Sequence, residues 1–368
     1  MNKKTITLFF FLIIIKVNIF SQEDDKPPID TADIAAAIIK TANYKCDSAE
    51  LKIKNKDLKG FTKFYKEAIN DYKKAIKQNA NSFEAYFRMA IAQTKTKDYK
   101  NAIVNFDKSL ELDPTRGDAF RERGIAQMEQ GKFKEAESDF TKALDKNGED
   151  AKSYYQRALL KEKQGNKKGA LDDFNLCIEQ YPNFYEPYMA RGKIYYELKK
   201  DYVLALNDFN KVIEMDSENN EAYLWRGKTN YNGGNYKGAD KDLSRFLDYE
   251  PTHIEGLITR SAARININDN SGAVRDLDEV IKLEPKNFIA LTNRGAAKGA
   301  MKNFAGAMED LDLAIKIKFD YSSAYINRAS IKFASGDKKG ACKDLEKADG
   351  LNNEKAYDLI QRYCKELK

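Results

Sequence analysis

The sequence predicts an all-α solenoid built from paired helices repeated along most of the chain. Three observations carry this reading. An arginine followed by a small residue recurs at Arg123, Arg157, Arg191, Arg226, Arg260, Arg294 and Arg328, at intervals of 34, 34, 35, 34, 34 and 34 residues. Each interval holds two stretches with apolar residues at helical spacing and a short break between them. Charged residues make up 33% of the chain with both signs interspersed, which suits a solvated helical surface better than a disordered tail.

The chain opens MNKKTITLFFFLIIIKVNIFSQ: a basic start, an apolar run from Ile6 to Ile15 and a polar end. This order predicts a signal peptide over 1–21. The apolar run is about ten residues against the roughly 20 that span a bilayer, and Lys16 interrupts it, so an uncleaved anchor is the weaker reading. No cysteine stands at the cleavage region to carry a lipid, and the Phe-Ser-Gln ending resembles exported proteins of Bacteroidetes-type bacteria. Residues 22–31, acidic with adjacent prolines, read as an extended linker. Without Lys3, Lys4 and Lys16 the balance is 60 basic against 57 acidic residues, a net charge of +3 in place of +6. That is too weak and dispersed for nucleic acid. The four cysteines lack metal spacing. Cys177 falls at a small buried position, and Cys46 has no assignment. Cys342 and Cys364 lie on neighbouring elements and could pair, with free thiols the reading the sequence favours.

Aligned on the arginines, eight repeats span 83–355: 83–116, 117–150, 151–184, 185–219, 220–253, 254–287, 288–321 and 322–355. Each first helix leads with a large residue (Tyr86, Phe120, Tyr154, Tyr188, Tyr223, Leu257, Leu291, Tyr325). Four residues on stands a small one (Ala90, Gly124, Ala158, Gly192, Gly227, Ser261, Gly295, Ala329), which would let another backbone approach. Each second helix carries an alanine and, four residues later, Phe or Leu: Phe106, Phe140, Phe174, Phe209, Leu243, Leu277, Leu311 and Leu345. Asp or Asn between the helices (Asp98, Asn166, Asp201, Asn235, Asp269, Asn303, Asp337) is N-cap chemistry; only Lys132 departs. Glycines just before the alanines, among them Gly272 and Gly340, are expected where helices meet. Pro114, Pro182, Pro251 and Pro285 end second helices.

In these features 83–355 resembles the tetratricopeptide repeat family, a 34-residue helix-turn-helix with large, small, alanine, aromatic and proline positions at these offsets. The resemblance implies a right-handed superhelical solenoid of about eight units. Residues 32–82 hold the phase at Ala68, Tyr72 and Ala75 without a recognisable first helix, and are read as a divergent N-terminal cap. Residues 356–368 read as a closing amphipathic helix that covers the last apolar face.

The family usually has leucine where the seven arginines stand. Each arginine has an aspartate 16 residues on, in its own second helix (Asp139, Asp173, Asp242, Asp276, Asp310, Asp344), or 17 on for Asp208 in the 35-residue repeat. The first repeat lacks both, with Met89 and Asn105, and Asp71 upstream has no arginine at that spacing. Seven helix-to-helix clips within repeats are the better reading, and an anion-binding ladder the lesser one.

The resemblance also implies a concave groove lined by a second stripe of the first helices, where peptides bind. Here that stripe is Phe87 and Ile91, Arg121, Tyr155, Leu159 and Glu162, Met189, Lys193 and Tyr196, then Leu224, Trp225, Lys228 and Tyr231. Its aromatic and methionine content suits protein recognition. For Trp225, contact with an adjacent helix is an even alternative. The lysine and asparagine clamp by which some family members grip chaperone carboxylates has no match, since Phe87, Arg121, Ile91 and Ile125 stand there. Catalytic signals are lacking. His253, the sole histidine, has no nearby carboxylate in sequence and no metal spacing, and Gly233 and Gly234 make an inter-helix turn. The chain is therefore expected to be a noncatalytic protein-binding adaptor of a bacterial cell envelope, without metal or cofactor. A ligand-binding regulatory module and a structural spacer are the alternatives.

Overall fold

The computed structural model describes residues 30–199 and 201–365. The signal segment at 1–21 and the linker up to residue 29 lie outside the described residues. Among the described residues all regular structure is helical, nineteen α-helices and one π-helical turn. The chain divides into two compact units, an N-terminal one ending at Gly148 and a C-terminal one beginning at Glu149.

The N-terminal unit holds α1 (Thr31–Lys54), α2 (Leu58–Gln78), α3 (Phe83–Lys95), α4 (Tyr99–Leu112), α5 (Gly117–Glu129) and α6 (Phe133–Lys146). The segment read as a divergent cap is thus a hairpin of two helices, of 24 and 21 residues, longer than any in the repeats. Helix α1 starts inside the stretch read as linker because Asp30 caps it, accepting from the Ala32 amide at 3.0 Å. Its buried face is lined with alanines: Ala42 and Ala49 lie against Tyr65, Ala68 and Tyr72 of α2, and Ala35 against Ala75 of α2 and Ala85 of α3. Alanine leaves only a faint apolar period in a sequence.

The C-terminal unit holds α7 (Ala151–Lys163), α8 (Lys167–Gln180), α9 (Tyr185–Ile194), α10 (Tyr202–Met215), α11 (Asn220–Asn232), α12 (Tyr236–Tyr249) and α13 (Ile254–Asn266). It continues through α14 (Asn270–Leu283), α15 (Phe288–Ala300), α16 (Phe304–Ile317), α17 (Ser322–Ala334), α18 (Lys338–Asp349) and α19 (Glu354–Tyr363). In both units each helix packs on the next in sequence, and the first helices of successive repeats also touch at α3 and α5, α11 and α13, α13 and α15, and α15 and α17. The second-helix residues from Phe106 to Leu345 are essentially inaccessible. Each such burial contributes about 1.5–3 kcal/mol.

The small residue of the first helix makes room for that side chain, and at Gly295 also for the close backbone approach the sequence suggested, a Cβ there lying 3.2 Å from the Ala307 carbonyl oxygen. A Cβ on Gly124 would lie 2.7 Å from the Phe140 ring, and one on Gly227 would lie 2.8 Å from Leu243. The glycines before the alanines have a different cause from the one expected. Asp269 folds over the α14 terminus to accept from the Gly272 amide at 2.9 Å, and a Cβ there would sit 2.0 Å from its Oδ2. Asn166, Asn235, Asn303 and Asp337 cap their helices in the same way. Asp98 differs, accepting instead from the Asn101 side chain. His253 caps α13, its Nδ1 accepting from the Gly256 amide at 3.1 Å, with its ring edge-on to Phe246.

The extra residue of the 35-residue repeat is absorbed at the end of α9, where Tyr195–Lys199 forms the π-helical turn. At the far end, Asn353 caps α19, and Cys342 and Cys364 form a disulfide with their Cα atoms 5.8 Å apart. The free-thiol reading of this pair is therefore corrected: the turn after α18 folds α19 back until the two sulfurs meet. Cys46 and Cys177 are free; the Cys177 thiol donates to the Ala151 carbonyl at 3.1 Å, and burial pushes its pKa up to about 12.

Candidate functional site

The seven arginines form one repeated arrangement. Arg226 donates through Nε to Asp242 Oδ2 at 2.8 Å and through Nη2 to Oδ1 at 2.6 Å, a two-pronged bond between α11 and α12. The same fork joins Arg123 to Asp139, Arg157 to Asp173, Arg191 to Asp208, Arg260 to Asp276, Arg294 to Asp310 and Arg328 to Asp344. Every one of these carboxylates is buried.

The third guanidinium nitrogen does something the spacing within a repeat did not suggest. Nη1 of Arg226 reaches back to Asn210, on the second helix of the preceding repeat, at 2.8 Å. Arg123, Arg191, Arg294 and Arg328 reach Asp107, Asn175, Asp278 and Asp312 at 2.6–2.7 Å, and Arg260 reaches Ser244 at 3.3 Å. Each of these partners lies 16 residues before its arginine. Each of these six arginines therefore joins three helices, two of its own repeat and one of the repeat before. The residue four places after the arginine adds a further donor to the carboxylate: Lys161, Asn230, Arg264, Lys298 and Lys332 each lie within 3.0 Å of it.

Where arginine is missing, other pairs hold the same place. In the first repeat Asn105 donates to Gln93 at 2.7 Å. Asp71 is not partnerless: Lys45 of α1 and Lys74 reach it at 2.5 and 2.8 Å. Sequence spacing missed Lys45 because the cap hairpin has its own length. With their forks spent on carboxylates, the arginines have no face left to make an anion ladder.

The first-helix stripe is partly core. Phe87 is 4% exposed and packs on Phe83 and Phe106; Leu224 is 9% exposed among Leu243, Leu247 and Leu257. Both are corrected from groove anchors to core residues, because a first helix is covered on two sides, by its own second helix and by the next first helix. Ile91 packs against the Phe87 cluster, and Arg121 is half-buried with Glu122 3.4 Å away.

The rest of the stripe gathers in the C-terminal unit. An open cavity of about 330 Å3 lies between α7, α9 and α11. Helix α7 contributes Tyr155, Leu159 and Glu162; α9 contributes Tyr185, Glu186, Met189 and Lys193; Asn219 and Glu221 close the α11 side. Met189, 6% exposed, forms its floor rather than a projecting anchor. Tyr155 is held between Phe174 and Phe184, and burial, with Glu186 and Glu162 nearby, pushes its pKa up to about 12. Burial also raises the Glu162 carboxyl above its ordinary value, and repulsion from Glu197 adds to this.

Beside the cavity stands an aromatic and lysine cluster. Trp225 stacks on Phe209 at 6.4 Å and meets the Tyr196 ring edge-on at 5.5 Å. Lys228 lies 4.2 Å and Lys193 5.4 Å from the indole centroid. The two lysines are themselves paired, with Glu255 and Glu221, each at 2.6 Å. Trp225 is therefore in contact with the adjacent helix and only half-buried, packed on the core cluster of Phe209. Tyr231 leans on Tyr236 at 5.7 Å. Sequence reading missed Tyr185 and Asn219, the first and last residues of one repeat, since the first position varies from Phe83 to Gly117 to Ala151 and the last from Arg116 to Phe184 to His253.

Family models described as tetratricopeptide repeat match residues 83–116, 121–183, 221–253 and 322–355. The chain is a tetratricopeptide-repeat protein. Among solved structures, this repeat protein is similar to PilF of Pseudomonas aeruginosa, at 17% identity over 56% of this chain and 94% of that one, with a TM-score of 0.51. It is also similar to YrrB, described as having an unusual peptide-binding site (25% identity, 50% and 95% covered, TM-score 0.48). A third is a tetratricopeptide repeat protein from Parabacteroides merdae (21% identity, 76% and 97% covered, TM-score 0.40). No curated protein matches the chain. Among the described residues no helix is long and apolar enough to cross a membrane, and no group of His, Cys, Asp and Glu could hold a metal ion.

Proposed function

We propose that this tetratricopeptide-repeat protein is an exported, noncatalytic adaptor that holds a peptide segment of a partner protein, in the assembly of a bacterial cell-envelope complex. The repeat family supports a protein-interaction scaffold. The observation that carries the finer reading is the cavity on three successive first helices with the Tyr196, Trp225, Lys228 cluster next to it. Amphipathic rings and a methionine floor around a space too small for a folded domain fit an extended segment. Two observations support export: the signal-like order of the first 22 residues, and a disulfide, which persists in oxidising compartments.

The test is site-specific photocrosslinking in cell-envelope fractions, with a photoreactive phenylalanine at Tyr185 in one preparation and at Val104 in another. Val104 is 59% exposed on the second helix of its repeat and is not one of the residues lining the cavity. The same partner should be captured from position 185 and not from 104, and an excess of a peptide taken from the labelled partner segment should abolish capture. Equal labelling from both positions would refute the assignment of the face.

A further inference from the structure

The cavity between α7, α9 and α11 has a charge imbalance that its own side chains do not compensate. Lys193, the single cation of the lining, is committed to Glu221 at 2.6 Å. Glu162 and Glu186 line the same space from two different helices, and among the described residues neither makes an ion pair or a side-chain hydrogen bond. Glu162 is half-buried, so its ionised form is poorly solvated in the unfilled site. Tyr155 and Tyr185 line the same space as these carboxylates, and Leu159 and Met189 offer apolar wall and floor.

We propose that this cavity is the pocket for one lysine or arginine side chain of the bound segment; the proposal rests on the peptide-holding reading above and names what that segment must contain. A long cationic side chain has the two characters that the lining has. Its methylene stem packs on Leu159 and Met189, while its head meets Glu162 and Glu186 and the tyrosine rings. The roughly 330 Å3 lies at the lower end of ligand pockets, a fit for a single long side chain rather than a whole ligand. An acidic or neutral residue at that point would leave both carboxylates without a direct ionic partner, since Lys193 and Lys167, which act on Glu162, are paired with Glu221 and Glu197. The pocket therefore selects for charge as well as for length.

The experiment uses the full chain with 13C-methyl methionine, the Met189 signal being assigned by its loss in Met189→Leu. The probes are four fluorescein-labelled peptides, acetyl-Gly-Leu-Pro-X-Pro-Leu-Gly-amide, with X as lysine, arginine, norleucine or glutamate. By fluorescence anisotropy the lysine and arginine peptides should bind about tenfold tighter than the norleucine one, and the glutamate peptide weakest. The same two peptides should shift the Met189 methyl signal. Glu162→Gln with Glu186→Gln keeps the shape and removes the charge; it should bring all four peptides to within about twofold of each other, with norleucine affinity unchanged and an unaltered circular dichroism spectrum. If lysine and norleucine peptides bind alike to the wild-type chain and both move Met189, the charge-selective pocket is refuted and the peptide-holding reading stands. If none of the four binds, both are refuted.

Discussion

Replacing Arg226 with alanine removes three hydrogen bonds at once, two to Asp242 and one to Asn210. The two ends respond differently. Asn210 is exposed and regains water, so its share of the loss is small. Asp242 is 4% exposed and keeps one donor only, Asn230 at 3.0 Å. Breaking a buried ion pair from one side costs about 3–5 kcal/mol. The arginine side chain is itself 22% exposed, so water can enter the gap it leaves, which puts the expected loss near the low end, about 3 kcal/mol. Changing both partners to apolar residues, Arg226→Leu with Asp242→Ala, should cost about 1 kcal/mol, because no charge is then left buried. The assay is guanidinium unfolding followed by far-ultraviolet circular dichroism, with amide hydrogen exchange to locate the effect. Contacts in a repeat array run only between neighbours, so lost protection should be confined to α10, α11 and α12. A single mutant within about 0.5 kcal/mol of wild type, or a double mutant as unstable as the single, would refute the view that these forks hold the helices together.

Two further outcomes follow from the same geometry. Cys364→Ser opens a link that closes 22 residues, and the chain-entropy model puts the loss at about 3 kcal/mol, felt as lost amide protection in α19; reduction of the wild-type chain should reproduce it, and no change in α19 protection would contradict it. The Asp269 carboxyl is held below its ordinary value, first by the Gly272 amide, with burial opposing and Ser271 and Arg264 adding to it. Its capping contribution is therefore present above the unfolded-state pKa and is lost as pH falls through the lower folded-state value. Asp269→Asn, the residue type already used at Asn235 and Asn303, should keep the cap and remove that acid dependence, whereas equal acid sensitivity in both proteins would contradict the assignment.

The parts that were legible in the sequence are those set by residues close together in the chain. Helix pairs, their capping residues and the Phe or Leu that each second helix buries all fall within one repeat, and a period repeated eight times makes each position readable by comparison with its copies. The fork from arginine to aspartate was legible for the same reason. Its third arm was not, because it lands on Asp107, Asn175, Asn210, Ser244, Asp278 or Asp312, positions whose residue type varies and whose role exists only once one repeat is stacked on another.

The sequence by itself thus determined the all-α repeat class, the order of helices and the polar pairs within each repeat, since helix periodicity and capping are local. Only the tertiary structure decided that Phe87 and Leu224 are core, that Cys342 meets Cys364, and that Glu162, Glu186 and two tyrosines share one cavity. Those outcomes depend on the distance between one helix pair and the next. That distance is set by how the side chains of two repeats pack together, and no single repeat contains it.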